Sequence, residues 1–293
     1  EHMARAVLDA GIKCNFSVGL TCFEDKDLHQ LPIYQENLFL LENYHNANDG
    51  QLKIDLSIHG EYTSNPKIVQ QTVEFGEGKG LNMHIHLSET KTEHEQCKER
   101  NKKTPTEYFY ALKLFDMPTT AAHCVWLEGE DFHILKESDV TVACCPISNF
   151  KLGSGFCNVP KLISEGVKIA LGTDSAASNN NLNLFEEMKA FCTVYNAAYD
   201  DVLTIKPIHA LKAATAAGFA AQGRNDCGKI CVGARADVIV LDLQKPWMQP
   251  CHHLQNNLVY STQGGDVVLT VVDGKVLYEE GEYTTIDIEK VIY

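Results

Sequence analysis

The residues able to do chemistry in this chain stand at the ends of short apolar runs. His84 and His86 lie two apart within residues 81–87. A strand alternates faces, so two such imidazoles point the same way. That spacing suits two nitrogen ligands on one metal, and zinc in hydrolytic sites takes three protein ligands plus water. Glu89 stands just beyond this run, His59 follows residues 53–58, His123 falls at the end of 119–124, and Asp174 follows 167–171 after a Gly-Thr turn. Taken singly, each has an ordinary explanation: a strand-end His is usually structural, and Gly-Thr-Asp is a common turn or helix cap. Taken together they are the groups of a metal-assisted hydrolase. A metal makes hydroxide available near neutral pH, and a nearby carboxyl moves protons on and off the substrate.

Such residues need a scaffold that gathers strand ends. The candidate strands, residues 13–18, 53–58, 81–87, 119–124, 140–144 and 167–171, alternate with helix-compatible segments such as 66–79, 105–115, 130–136 and 159–165. Pro66 and Pro105 sit where a first helical turn tolerates proline. The rhythm predicts a parallel α/β architecture. Polar residues at strand carboxyl ends fit a (β/α)8 TIM barrel, where active sites are built at that end. A doubly wound sheet would also bind ligands there. Its G-x-G-x-x-G turn is absent, however, and Gly153-Ser154-Gly155 follows no strand closely enough to serve.

Six βα units are legible where a barrel needs eight, and an open six-stranded sheet would expose two edges. Either two strands escape detection or the first two units are not in the chain as given. After Asp226 the texture changes to turns and apolar runs. Residues 267–272 and 275–278 around Asp273-Gly274 predict a β-hairpin, and no helical rhythm returns until 286–292. The expected organisation is a barrel over 1–225 and a small β-rich flanking unit over 226–293.

Composition bounds the rest. Apolar residues make up 44% and charged residues 22%, which excludes a disordered chain. The net charge of −14, from 39 acidic and 25 basic residues, argues against nucleic acid or an anionic membrane as partner. No apolar run is long enough to span a bilayer, and the first residues lack a secretion signal's apolar core. The 11 Cys include no C-x-x-C, so they read as reduced thiols of a cytoplasmic protein.

An ordered set of motifs covers nearly the whole chain: Ser57-Ile58-His59 with Tyr62-Thr63-Ser64, residues 84–90 (HIHLSET), Ala121-Ala122-His123-Cys124, 145–155 (CPISNFKLGSG), 171–181 (LGTDSAASNNN) and the tail at 228–243. Through it the chain resembles the amidohydrolase superfamily, in particular its methylthioadenosine/S-adenosylhomocysteine deaminases and chlorohydrolase-like relatives. The resemblance implies a barrel with a flanking β-sandwich and one divalent metal, zinc or alternatively iron. The family holds that metal by an HxH pair on strand one, a His on strand five and an Asp on strand eight. Carried onto this chain, His86 and Asp174 are the metal ligands, and Asp174 also accepts the proton of the attacking water. Glu89 becomes the proton-shuttling acid that also touches substrate. His123 contacts the water and donates to the intermediate's oxygen, and His59 contacts a ribose. The implied activity is a hydrolase of C–N bonds other than peptide bonds, releasing ammonia from an adenine-type nucleoside. A small amino-heterocycle or nucleoside is the expected partner, in a homo-oligomer.

Two departures stand out. The strand-one HxH is missing: Glu89 and everything after it register His86 as the later ligand, so the pattern's first two strands are expected to precede Glu1, and His84 reads as a lumen-filling residue. Close relatives carry Arg where this chain has Val18, and another near Ile33. Alternatives are a hydrolase of another ring, such as guanine or a triazine, and a metal-free barrel with a binding role. The cytidine-deaminase pattern fails, because His59-Gly60-Glu61 supplies H-x-E but Leu254 breaks the P-C-x-x-C that Pro250-Cys251 begins. His252-His253 reads as a surface pair, and Trp126 as either pocket wall or packing.

Overall fold

The computed structural model describes residues 1–292; Tyr293, the last residue of the expected β-rich unit, lies outside them. Seven strand segments build the parallel part: β1 (Cys14–Phe16), β2 (Leu52–Ile54), β3 (Leu56–Ile58), β4 (Met83–Leu87), β5 (Thr119–His123), β6 (Thr141–Cys144) and β7 (Lys168–Leu171). Only Asp55 separates β2 from β3, and its N–H donates to the Phe16 carbonyl at 2.9 Å. The two segments therefore act as one strand, pairing with β1 on one side and β4 on the other. The result is an arc of six parallel strands in chain order, matching the six units expected.

Alternation along β4 shows what the arc does. Met83, Ile85 and Leu87 are fully buried beneath the outer helices, worth roughly 1.5–3 kcal/mol each. The intervening His84 and His86 face the other way, into the lumen. The expected helices form with identifiable starts. Asn65 caps Pro66–Gly76 by accepting from Ile68 N at 3.0 Å, and Thr104 with Glu107 makes a capping box for Pro105–Ala111.

The arc's open side is spanned by backbone rather than by a strand among the described residues. Helices Pro207–Ala214 and Ala216–Ala221 pack on β7. The segment that follows reaches β1: Asn15 Nδ2 donates to Gln222 O at 3.0 Å, and Arg224 donates to Cys14 O at 2.9 Å. Beneath the site this leaves a cavity of about 240 Å³ with His84 in its wall.

The tail forms an antiparallel sheet of β8 (Val238–Leu241), β9 (Val267–Val272), β10 (Lys275–Glu279) and β11 (Glu282–Tyr283), ordered β11-β10-β9-β8. The predicted hairpin is present, with Asp273 and Gly274 both at positive φ, as its tight turn requires. The tail also departs from expectation. A helix, Leu254–Tyr260, packs against Leu184–Ala198 and Pro207–Ala214, and the last helix begins at Ile288. The first of these was hidden because Asn256 and Asn257 are poor helix formers, and tertiary packing overrides that weak preference.

Candidate active site

The five expected residues arrive at the carboxyl ends of four strands. His86 is on β4, Glu89 just beyond it, His123 ends β5, His59 follows β3 and Asp174 follows β7. The imidazoles form a row: the His59 and His86 rings are 4.9 Å apart, and His86 stacks on His123 at 5.4 Å. His123 Nε2 lies 3.8 Å from Glu89 Oε2.

Backbone conformation aims these groups. Ser88, His123 and Asp174 all have positive φ, at 47°, 72° and 61°. For non-glycine residues this costs on the order of 1–3 kcal/mol each, and such strain clusters at functional sites.

Neighbours fix the polar atoms. His86 Nδ1 donates to the His59 carbonyl at 2.7 Å, which leaves Nε2 free. His59 Nδ1 meets Thr63 Oγ1 at 2.9 Å, and Thr63 in turn donates to Gly60 O. His123 Nδ1 meets Asn149 Oδ1 at 2.9 Å. Since an amide oxygen only accepts, the neutral His123 ring presents a lone pair at Nε2. With Asn149 Oδ1 facing Nδ1, the ring proton lies on Nδ1 and Nε2 is turned toward Glu89. Ser148 Oγ donates to Asp174 Oδ2 at 2.6 Å, and Ser154 Oγ to Glu89 Oε1 at 3.3 Å.

Electrostatics follow from this packing. Burial lowers the His123 pKa despite the opposing pull of Glu89 and the Asn149 hydrogen bond. Burial, then His86, lowers that of His59. For Asp174, burial works upward, but hydrogen bonds from Ser148, Ser175 and Ser178 and the nearby His123 together take it below the ordinary value. His84 is reached by solvent through the lumen, yet it stands deep among protein atoms. Burial, with His86 and His123 adding, lowers its pKa to about 4.

The donor set is of the kind that holds a metal. Imidazole nitrogen and carboxylate oxygen are what zinc prefers, and His86 has the orientation of a ligand. Among the described residues, no three His, Cys, Asp or Glu side chains converge for a metal. His86 and Asp174 thus fit as ligands in kind, and the described residues do not complete the number.

Four participants were not assigned from sequence. Ser148, Asn149 and Ser154 lie in the 145–155 motif, where hydroxyl and amide types alone signal no role. Glu93 binds the N–H groups of Ser88, Glu89 and Thr90, and its signal was the capping-box spacing Thr90-x-x-Glu93. Trp126 Nε1 donates to the carbonyl of Ser154 at 2.8 Å, so it braces the loop that reaches Glu89.

Comparison with known proteins agrees with this geometry. The sequence profile of the amidohydrolase family matches residues 1–277. A 5-methylthioadenosine/S-adenosylhomocysteine deaminase of Caldanaerobacter subterraneus subsp. tengcongensis is 40% identical, over all of this chain and 68% of its own. A 5'-deoxyadenosine deaminase of Methanothermobacter thermautotrophicus is 33% identical, over 98% of this chain and 67% of its own. The structure of an adenosine deaminase from Xanthomonas campestris with bound zinc superposes with a TM-score of 0.91 at 26% identity, covering 99% of this chain and 66% of that one. The chain thus spans about two thirds of the length of these relatives. A barrel arc with imidazole and carboxylate groups at its carboxyl end, matched by a family profile over most of its length, places this chain in the amidohydrolase family.

Proposed function

We propose that this protein is a metal-dependent aminohydrolase that replaces the 6-amino group of an adenine-type nucleoside with oxygen, releasing ammonia. The observation that carries the reading is the gathering of His86, Glu89, His123 and Asp174 at one end of the arc, with Glu89 beside His123. The similarity to adenine-nucleoside deaminases supports it.

His86 and Asp174 would hold a divalent metal, zinc as in the Xanthomonas structure, which when bound makes water a nucleophile near neutral pH. Glu89 delivers a proton to the purine ring nitrogen beside the amino-bearing carbon, which makes that carbon electrophilic. Water adds there, and Asp174 and the Nε2 lone pair of His123 accept its protons. One of these protons passes to the amino group, which leaves as ammonia, the other restores Glu89, and the carbon keeps the oxygen. His59, half-buried at the rim with Nδ1 held by Thr63, offers Nε2 to a ribose hydroxyl.

The substrate's 5' end meets no arginine from Val18 or Ile33. Val18 packs against the small cluster of Ala4, Val7, Leu40, Leu52 and Ile54, and Ile33 against the main core. A charged hydrogen bond to a carboxylate contributes about 1.5–3 kcal/mol. Adenosine, 5'-deoxyadenosine and methylthioadenosine are therefore expected to exceed S-adenosylhomocysteine in kcat/KM by roughly 10- to 150-fold, followed as ammonia release. A preference for S-adenosylhomocysteine would overturn the specificity. Turnover of guanine or a triazine, with none of any adenine nucleoside, would overturn the reaction assignment.

A further inference from the structure

Three groups of the site share one support. Ser148, Asn149 and Ser154 lie in a single short segment, the first two in helix Pro146–Lys151 and the third in the loop after it. All three are buried, at 0%, 0% and 5% exposure. Each bonds a different reacting side chain: Ser148 to Asp174, Asn149 to His123 and Ser154 to Glu89. Burying polar side chains is unfavourable unless they are paired, so each is retained at the cost of committing its hydrogen bond to that partner. The segment is itself anchored, with Ile147 N donating to the buried Glu187 at 3.2 Å and Ser154 N to Asn149 O at 2.8 Å.

Asn149 does more than hold a ring in place. Facing Nδ1 with an oxygen, it demands a proton there and strips one from Nε2. The other two rings obey the same rule. His86 Nδ1 donates to a carbonyl, and His59 Nδ1 donates to a Thr63 hydroxyl whose own proton goes to Gly60 O. In this arrangement all three imidazoles carry their proton on Nδ1 and leave Nε2 unprotonated. The Asn149 amide nitrogen has no partner among the described residues, so a half-turn of the amide is the competing arrangement. It would place N–H against Nδ1 and move the ring proton to Nε2.

We propose that residues 148–154 are the positioning element of the active site, and that Asn149 is a positioning residue that locks His123 as the Nδ1–H tautomer. Its effect on turnover rests on the deaminase reading above; the tautomer itself does not.

The test is an ¹⁵N spectrum of the histidine-labelled protein at neutral pH, with His123 assigned by comparison with His123→Gln. One pyrrole-type Nδ1 and one pyridine-type Nε2 are expected. Asn149→Leu, nearly isosteric but without an acceptor, should give shifts averaged over both tautomers. Asn149→Asp, which keeps an acceptor oxygen, should restore a protonated Nδ1. In kinetics, Asn149→Leu should lower kcat roughly 10- to 100-fold with little change in KM. Ser148→Ala and Ser154→Ala should lower kcat in the same sense. A protonated Nε2 with pyridine-type Nδ1 in the unsubstituted protein would overturn the lock, as would an unchanged His123 spectrum in Asn149→Leu. If Asn149→Leu does not fold, the spectrum of the unsubstituted protein still decides. Absence of deamination together with the expected spectrum would sink the function and leave the tautomer standing.

Discussion

Glu89 shows how little separates a bystander from a reacting group at the scale of one residue. It follows the strand that carries His86, yet its carboxylate meets only Ser154 and the His123 edge. In the function proposed above it is the proton carrier, and His86 and Asp174 are the metal ligands. In the metal-loaded enzyme, Glu89→Gln should leave metal content unchanged and reduce kcat by roughly 10²–10⁴, the range for removing a general acid. Metal analysis alongside turnover checks this, and a variant that loses its metal would contradict the role. The residues legible from sequence were those whose type is costly to keep at a strand end without a purpose: His59, His86, Glu89, His123 and Asp174. Ser148, Asn149 and Ser154 were not legible as functional, because a hydroxyl or an amide is equally at home in any turn. Their importance lies in whom they touch, which only the fold supplies.

At the scale of an element, the turn from β4 into the helix Lys91–Asn101 combines capping with site construction. Thr90 accepts from Glu93 N, while the Glu93 carboxylate gathers the N–H groups of residues 88–90. The same side chain therefore starts the helix and holds the backbone from which Glu89 projects. Burial raises the Glu93 pKa to about 7, against the lowering effect of those hydrogen bonds. A raised carboxyl pKa means the folded state binds the proton more tightly than the unfolded chain. Its contribution to stability is complete below about pH 4.5 and is lost as pH rises through about 7. Glu93→Gln cannot ionise, so its urea-unfolding free energy should decline less between pH 5 and 8 than that of the unsubstituted protein, by up to about 3 kcal/mol. Parallel pH profiles would show that Glu93 ionises freely. The strand pattern was readable because β4 alternates so cleanly; the helix Leu254–Tyr260 was not, because its packing partners lie far away in sequence.

Across the whole molecule, one ion cluster ties the first strand to the tail sheet. Lys13, only 5% exposed, meets Asp237 and Asp273 at 2.6 Å each, and Arg235 joins Asp273 to Asp226 and Asp49. Removing one partner of a buried pair leaves charge without compensation, at a typical cost of 3–5 kcal/mol. Lys13→Met should therefore destabilise the protein by that amount in urea denaturation. A change under about 0.5 kcal/mol, the size of an ordinary surface substitution, would mean that water reaches the two carboxylates. No helix among the described residues is long and apolar enough to cross a membrane.

The pairing of every parallel strand with its chain neighbour also has a temporal side. The registers Leu56↔Met83, Met83↔Thr119, Thr120↔Thr141 and Thr141↔Lys168 close only short loops. Lys13 reaches Asp237 across 224 residues. Short loops lose little chain entropy on closing, and long ones lose more. On a ribosome the arc can therefore zip strand by strand as it emerges, and the Lys13 ammonium waits, solvated, until Asp237 has been synthesised.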